Sequence, residues 1–415
     1  MKLSRAASPT EHPTEHSDVT VQQLELRLEA SRSCRFGVEL FEDVNSVSFT
    51  RWIETHLSDH RILVVMTPTV HRLYSQQLSA CWSVLDVEPR VFVLACDETT
   101  KSIDAVMAVC RQAEEADIDR RGVLVSIGGG VCSDIVGLAA SLLRRGISHV
   151  RIPTTLIGQV DAGIGLKGGV NFGVLKSYIG CFYPPKAVAV VPTFLRTLSG
   201  DGILQGIAEI VKLACVCDSA LFEDVEAAVT DLTRTRFQEP EVVAKKVLRR
   251  SISGMLAQLS ENPFETVTLE RAVDFGHTLS HPLEAATGYQ LHHGFAVAID
   301  IAFSTILASR MSLIKDREAL RIVDLLTNAG LPIYHEKLDG SLVESAFDAT
   351  KKHRDGALNL VVPTGIGRHA FVKDTECLSM SLIGETIEYL RKASHTNARE
   401  SVNGAISALS RRTRL

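Results

Sequence analysis

Residues 122–130, Gly-Val-Leu-Val-Ser-Ile-Gly-Gly-Gly, decide the fold class of this 415-residue chain. Gly122 to Ile127 is a short aliphatic run that reads as a strand, and Gly128-Gly129-Gly130 opens a helical pattern that continues through Leu143. Strand, glycine turn and helix in that order suit a phosphate: glycines admit a close backbone approach, and a helix N-terminus offers free N–H groups and the positive dipole end. The spacing is not Gly-x-Gly-x-x-Gly, and glycines at such a turn also serve conformation alone, so both readings stand at this point.

Working outward, Arg61 to Met66 is a second apolar run, ended by Thr67-Pro68 and followed by a helical pattern from Val70 to Leu85. Arg90 to Leu94 and a helix over Ser102 to Ala113 repeat the alternation, and residues 148–155 and 187–192 add two more extended segments. Strands alternating with helices predict a parallel sheet covered on both faces, with its ligand at the carboxyl ends of the strands. The glycine-rich part between them, 158–180, reads as a long loop region. From about residue 196 the apolar periodicity becomes helical, over 203–229, 239–261, 265–287, 293–311 and 317–328. A short strand-like run, Leu358 to Pro363, and a helix over 380–393 close the chain. The expected organisation is a disordered N-terminal segment (1–18), an α/β domain (19–198), a helical domain (199–395) and a basic, Ser-rich tail (396–415). No repeat with a period of 20–50 residues stands out.

Composition bounds the partners. With 45% hydrophobic and 22% charged residues the chain reads as an ordinary soluble globular protein. A net charge of −5 and a pI near 6.3 supply no electrostatic attraction to nucleic acid or to an anionic membrane. An anionic small substrate therefore needs a local basic cluster. Nine cysteines, scattered and without a Cys-x-x-Cys pair, argue for a reducing compartment rather than a disulfide framework. The polar start of the chain lacks the apolar core of a signal peptide, and the longest apolar run, Ala296 to Ala308, is broken by Asp300 and too short for a bilayer, so a cytoplasmic location is expected.

Residues 274–294 carry the densest chemistry. If Phe275 to Ala286 is helical, His277 and His281 share one face, and a turn at Gly288 returns the chain so that His293 approaches His277. Glu209 and Lys212 lie three apart among apolar neighbours, and a buried charge needs a partner. Glu209 with His277 and His293 makes a Glu-His-His set with open positions, the pattern of a catalytic rather than structural Zn²⁺. Asp134 early in the helix after the glycines is either a cap or a cofactor acceptor. Arg144-Arg145 oppose a helix dipole, Glu98 and Lys101 form a common solvated pair, and Asp161, Lys167, Asn171, Lys176 and Ser177 stud the glycine-rich region as an anion-binding surface.

Taken together, Gly128-Gly129-Gly130-Val-x-x-Asp134, Arg145-Gly146, Pro153-Thr154-Thr155, Gln159-Val-Asp161, Lys167, Ala208-Glu209-Ile-Val-Lys212, Gly276-His277-Thr278 and His293-Gly294 resemble the dehydroquinate synthase-like sugar phosphate cyclases over roughly residues 35–395. The resemblance implies an α/β N-terminal Rossmann-like domain that binds NAD, an all-α C-terminal metal-binding domain, a cleft site between them and a homodimer. By the same resemblance Glu209, His277 and His293 hold Zn²⁺ or Co²⁺. Glu98, Lys101, Gly129, Gly130, Asp134, Thr154 and Thr155 bind NAD. Arg145, Asp161, Lys167 and Lys212 contact the substrate and its phosphate, and His281 stands beside the metal or transfers a proton. The implied chemistry is transient oxidation of a seven-carbon keto-sugar phosphate by bound NAD⁺, elimination of phosphate, return of the hydride and an intramolecular aldol closure.

Departures from the family pattern bear on the substrate. Leu256 stands where dehydroquinate synthases carry a Lys, Glu270 where they carry an Arg, and Asp274 replaces an Asn, so a neutral polyol end is expected in place of a carboxylate. The segment 269–280, with Lys352-His353-Arg354-Asp355-Gly356, resembles the sedoheptulose 7-phosphate cyclases that make valiolone-type cyclitols. His281 stands where 2-epi-5-epi-valiolone synthases carry Pro and Ser177 where they carry Asn; with Phe295 after His-Gly, these favour 2-epi-valiolone as product. The competing readings are a 3-dehydroquinate synthase, a metal-dependent alcohol or glycerol dehydrogenase, and a non-catalytic relative.

Overall fold

The computed structural model describes residues 34–173, 175–353 and 356–395. The expected disordered segment 1–18, the tail 396–415 and, within the 352–356 motif, Arg354 and Asp355 lie outside the described residues. The first half runs β1 (Gly37–Leu40), α1 (Val47–Leu57), β2 (Ile62–Met66), α2 (Pro68–Trp82), β3 (Arg90–Val93), α3 (Ile103–Glu115), β4 (Val123–Gly128), α4 (Gly130–Leu142), β5 (Ser148–Pro153), β6 (Lys167–Phe172), β7 (Leu175–Phe182) and β8 (Ala187–Val190).

Six strands form one sheet in the order β1-β8-β5-β4-β2-β3, every pair parallel. The apolar runs that announce β2, β4 and β8 are buried along their whole length, as strands covered on both faces must be. Successive side chains point to opposite faces: Ile62, Val64 and Met66 meet Trp52, Val70 and Leu78, while Leu63 and Val65 meet Val106, Ile135 and Val136. The chain moves from β2 outward to β3, then returns to β4 and proceeds the other way. The turns after β2 and β4 therefore flank a topological switch point, where such sheets leave a crevice for a ligand.

The region 158–180 is not the long loop expected from its glycines. Residues 158–162 form one wide helical turn, and β6 and β7 pair as an antiparallel hairpin. Its glycines hide the strand signal because they serve close packing: a Cβ on Gly168 would lie 2.9 Å from the Leu138 backbone nitrogen, and one on Gly180 2.7 Å from the Gly168 carbonyl oxygen. The hairpin thus lies directly on α4. Fully buried Arg151 on β5 donates to the carbonyls of Gly165 (2.8 Å) and Lys167 (3.0 Å), which fixes the start of β6.

The second half comprises α5 (Gly200–Cys217), α6 (Ser219–Arg234), α7 (Glu241–Glu261), α8 (Ser280–Ala286), α9 (His293–Arg310), α10 (Asp316–Ala329), α11 (Gly340–His353), the hairpin β9 (Leu360–Gly365) and β10 (Arg368–Val372), and a helix over 380–395. The stretch 203–229 breaks at Asp218, whose Oδ1 accepts from the N–H groups of Ala220 and Leu221 and caps α6. From Ala296 to Ala308 every residue of α9 is buried, mostly apolar side chains with Asp300, Ser304 and Thr305 among them, and the helix runs through the middle of this half. One hydrophobic cluster joins these helices to Leu156, Val160, Ile164 and Val188 of the first half, and the described residues from Arg35 onward form one compact unit. Among the described residues no helix is long and apolar enough to cross a membrane.

The expected helix over Phe275 to Ala286 is also corrected. Only Ser280–Ala286 is helical, and Gly276 adopts a φ of +75° where a Cβ would lie 2.9 Å from Ile301 Cγ1, so the chain crosses α9 as a tight loop. That loop is tied down by Asp300 of α9, which is wholly buried and whose Oδ2 accepts from the Leu279 (2.6 Å) and Ser280 (3.3 Å) N–H groups while Oδ1 accepts from Ser304 Oγ (3.0 Å). Asp300→Ala leaves these donors unpaired and is expected to cost about 2–3 kcal/mol, read by denaturant unfolding. Burial raises the Asp300 carboxyl to about 6. The folded protein therefore holds this proton more tightly than the unfolded chain. The group's contribution to stability is complete below about pH 4, declines as pH rises to about 6 and is constant above. In Asp300→Ala that slope should vanish from the stability–pH profile.

Candidate active site

Three elements deliver one cluster. α5 carries Glu209 and Lys212 one turn apart, the loop before α8 carries His277, and α9 begins with His293. Glu209 Oε1 lies 3.2 Å from His293 Nε2 and 3.7 Å from His277 Nε2, and the three donor atoms fall within 4.8 Å of one another. The far nitrogens are engaged: His277 Nδ1 lies 3.1 Å from the Phe275 carbonyl and His293 Nδ1 2.8 Å from Glu284 Oε1. Two imidazoles with fixed outer nitrogens and one carboxylate fit a divalent ion such as zinc, and of the three His277 lines the adjoining cavity.

Charge is balanced within the cluster. Lys212 Nζ sits 2.5 Å from Glu209 Oε2 and 2.8 Å from Asp161 Oδ2, with the lysine and Glu209 almost wholly buried. Burial opposes the charge on Lys212, yet Asp161 and Glu209 push it above the ordinary lysine range. Burial would likewise raise Glu209, but Lys212, His277 and His293 hold it well below the carboxylate range. Burial and the neighbouring Lys212 lower His277 to about 4, so its ring is neutral. His293 goes the other way, because against burial Glu209 and Glu284 raise it to about 9. His281, its ring 5.7 Å from those of His277 and His293, is exposed on its cavity side. Burial and the nearby His277, His293 and Lys176 keep it well below its ordinary value.

A cavity of about 660 Å³ opens beside this cluster and is lined by Asp161, Lys167, Lys212, His277 and His281, together with Asp134, Ser177, Glu265, Arg271 and Asp274. Lys167 Nζ lies 2.5 Å from Glu265 Oε1, which also pairs with Arg271, and Arg271 approaches Asp274 at 3.5 Å. A second cleft, of about 750 Å³, follows the switch point and is lined by Thr67, Asp97, Gly129, Gly130, Thr154 and Thr155. It receives the N-terminus of α4, which has no side-chain cap. A Cβ on Gly130 would lie 2.9 Å from Ala162 Cβ, so the turn needs glycine for its own packing as well as for approach by a ligand. An uncapped helix end over a glycine turn fits the pyrophosphate of a dinucleotide.

Of the residues expected to bind the cofactor, Gly129, Gly130, Thr154 and Thr155 line this cleft. Lys101 pairs with Asp134 (2.6 Å) and reaches Ser177 Oγ (3.3 Å), at the border of the cavity of about 660 Å³ instead. Glu98 accepts from Asn171 Nδ2 (3.1 Å) of the hairpin and lines neither space. Arg145 is exposed at a positive φ of 66° and lines neither space in this single chain. Two residues invoked against a substrate carboxylate also stand aside. Leu256 packs on the core, and Glu270 turns away to Lys373 (2.7 Å). Arg271 has extended backbone, so its side chain points opposite to that of Glu270, and it is the arginine that enters the cavity. Sequence reasoning missed Glu284, although its place one turn after His281 puts both on one face of α8. It also missed Glu265, which no local pattern marks.

Residues 91–205 match the family described as 3-dehydroquinate synthase N-terminal, and residues 206–353 that described as 3-dehydroquinate synthase C-terminal. A 2-epi-5-epi-valiolone synthase from Streptomyces hygroscopicus subsp. jinggangensis is 41% identical over 319 residues, covering 76% of this chain and 77% of its own. A 3-dehydroquinate synthase from Sulfurovum sp. is 36% identical over 319 residues, 77% of this chain and 88% of its own. The solved structure of ValA, the 2-epi-5-epi-valiolone synthase of Streptomyces hygroscopicus subsp. jinggangensis with NAD⁺ and Zn²⁺ bound, aligns with a TM-score of 0.83 at 37% identity, over 89% of this chain and 100% of that one.

Because His293 is raised to about 9, a divalent cation competes with a proton for its Nε2. Affinity for Zn²⁺ is expected to increase by roughly tenfold per pH unit as pH rises toward 9, with about one proton released per ion bound at pH 7. Calorimetry in two buffers of different ionisation enthalpy measures that proton, and binding without release would contradict the assignment.

Proposed function

The chain belongs to the 3-dehydroquinate synthase-like family of sugar phosphate cyclases, and on that premise we propose that it converts sedoheptulose 7-phosphate, with NAD and Zn²⁺ or Co²⁺ bound, into a valiolone-type C7 cyclitol with loss of phosphate. The observation that carries the proposal is the convergence of Glu209, His277 and His293 beside the Lys212–Asp161 pair, with His277, Lys212, Asp161 and Lys167 lining one cavity. The identity to 2-epi-5-epi-valiolone synthase supports the substrate class. In this reading residues 19–198 serve NAD and residues 199–395 the metal, and the enzyme is a cytoplasmic homodimer of the lyase class.

When bound, the divalent ion supplies Lewis acidity to substrate oxygens and NAD takes up and returns one hydride. Lys212, kept cationic by its two carboxylates, faces the cavity and stabilises negative charge that develops on a substrate oxygen. His281, neutral and reached from the cavity, accepts a proton. Lys167 and Arg271 supply cations for the phosphate once it replaces Glu265 between them. Arg145, exposed here, is assigned no step within one chain.

Leu256 and Glu270 no longer argue against a carboxylate, since neither lines the cavity, and Arg271 does. Asp274 remains the lining acid that disfavours one. Arg271 is the observation that favours the 3-dehydroquinate synthase reading, so both substrates belong in the test. We propose 2-epi-valiolone as the product, on Ser177 and His281. Both line the cavity, and Ser177 holds a φ of +49°, a conformation that Asn adopts readily.

The purified protein with NAD⁺ and Zn²⁺ or Co²⁺ is expected to release phosphate from sedoheptulose 7-phosphate, and little from the phosphorylated precursor of dehydroquinate. No NADH should accumulate, and NMR should identify 2-epi-valiolone. Stable NADH would point to a dehydrogenase instead. Lys167→Ala should raise KM for the sugar phosphate by about 10–100-fold with NAD affinity unchanged, as expected for one charge-assisted phosphate contact. Exchanging Ser177 for Asn and His281 for Pro should shift the product toward 2-epi-5-epi-valiolone. An unchanged epimer would remove both residues from the stereochemical argument.

A further inference from the structure

We propose that Glu284 is a positioning residue that fixes the ring and tautomer of His293 and, through Lys176, ties the metal-ligating wall of the cavity to the β6–β7 hairpin. Glu284 sits on α8 with a side chain only 3% exposed, and both of its oxygens are engaged. Oε1 lies 2.8 Å from His293 Nδ1, and Oε2 lies 2.6 Å from Lys176 Nζ on β7. The Nδ1 proton of His293 therefore points at Glu284, which leaves Nε2 directed at Glu209, 3.2 Å away. A carboxylate on the outer nitrogen of a ligating imidazole holds the ring in place and raises its basicity. Lys176 extends the chain of contacts. It lies 3.9 Å from Glu98 Oε1, and Glu98 in turn accepts from Asn171 of β6.

His281, Glu284 and His293 also converge closely enough to hold a cation of their own. The ammonium of Lys176 already supplies the positive charge there, and a second cation beside it would be repelled. The geometry thus assigns Glu284 to orientation of His293 rather than to a second metal centre. It rests on the reading that Glu209, His277 and His293 hold the ion.

The test measures Zn²⁺ affinity by chelator competition and the visible absorption of the Co²⁺-loaded protein, on the full chain and its variants, without turnover. Glu284→Gln is expected to bind Zn²⁺ about 10–100-fold more weakly and to shift the Co²⁺ absorption. Glu284→Asp, which keeps the charge with a shorter reach, should recover part of the affinity, and it carries the test if Glu284→Gln does not fold. Lys176→Met should cause a smaller loss, and the double variant Lys176→Met/Glu284→Gln should be no weaker than Glu284→Gln alone, because both act through one carboxylate. Unchanged affinity and absorption in both Glu284 variants would overturn the proposal. Additive losses in the double variant would overturn the link to the hairpin. His277→Ala separates the underlying metal reading: if it binds Zn²⁺ as tightly as the unsubstituted chain, that reading fails and this inference with it.

Discussion

A lysine ammonium buried at 2% exposure between two carboxylates is the constraint on which the site depends. Lys212 without partners would cost several kcal/mol, so α5 holds only where Asp161 and Glu209 can both reach it. Glu209 comes from the same helix, but Asp161 lies on the wide turn at 158–162, which belongs to the sheet half. The pair therefore joins the two halves at one point. The hydrophobic cluster around it, in which Leu156, Val160 and Ile164 pack with Ile207, Ile210 and Val211, supplies the free energy that keeps them together. Glu209 is fixed by the same arrangement, and with it the wall that receives His277 and His293.

Close backbone approach is the second device. The β6–β7 hairpin rests on α4 so closely that Gly168 accepts no side chain, Gly180 lies as tightly against the facing strand, and Arg151 holds the entry of the hairpin. Lys167, Lys176 and Ser177 reach the cavity or its wall because the hairpin lies that close. Tightness has a different function in the loop before α8. There Gly276 presses on α9 while Asp300 binds the following N–H groups, and His277 is aimed by the loop rather than by a helix face.

Around the mouth of the cavity the interactions are of another kind. Lys167 is half exposed and Glu265 and Arg271 are each about one-fifth exposed, so their ion pairs are screened and worth little. In the proposed reading an anionic group of the substrate would compete with Glu265 for these cations at modest cost. The buried carboxylates behind them, Glu209 and Glu284, are in contrast committed to fixed partners and shape the site rather than exchange.

Much of this was legible in the chain itself. The apolar runs of β2, β4 and β8 and the glycine turn after β4 determined a parallel α/β half, since strands buried on both faces must be apolar throughout and the pattern is local. Residue type and order pointed to Glu209, His277 and His293 as a candidate donor set, because few other side chains suit a divalent ion, and the structure brings the three together. The hairpin at 167–182 was hidden, since Gly168 answers to α4, and Gly169 and Gly180 to the facing strand, rather than to their neighbours in sequence. Only the tertiary structure decided that His277 stands on a loop, that Arg271 and not Glu270 enters the cavity, and that Glu284 stands behind His293. Each of these depends on which way one side chain points and on what a distant segment brings against it, and long-range packing sets both.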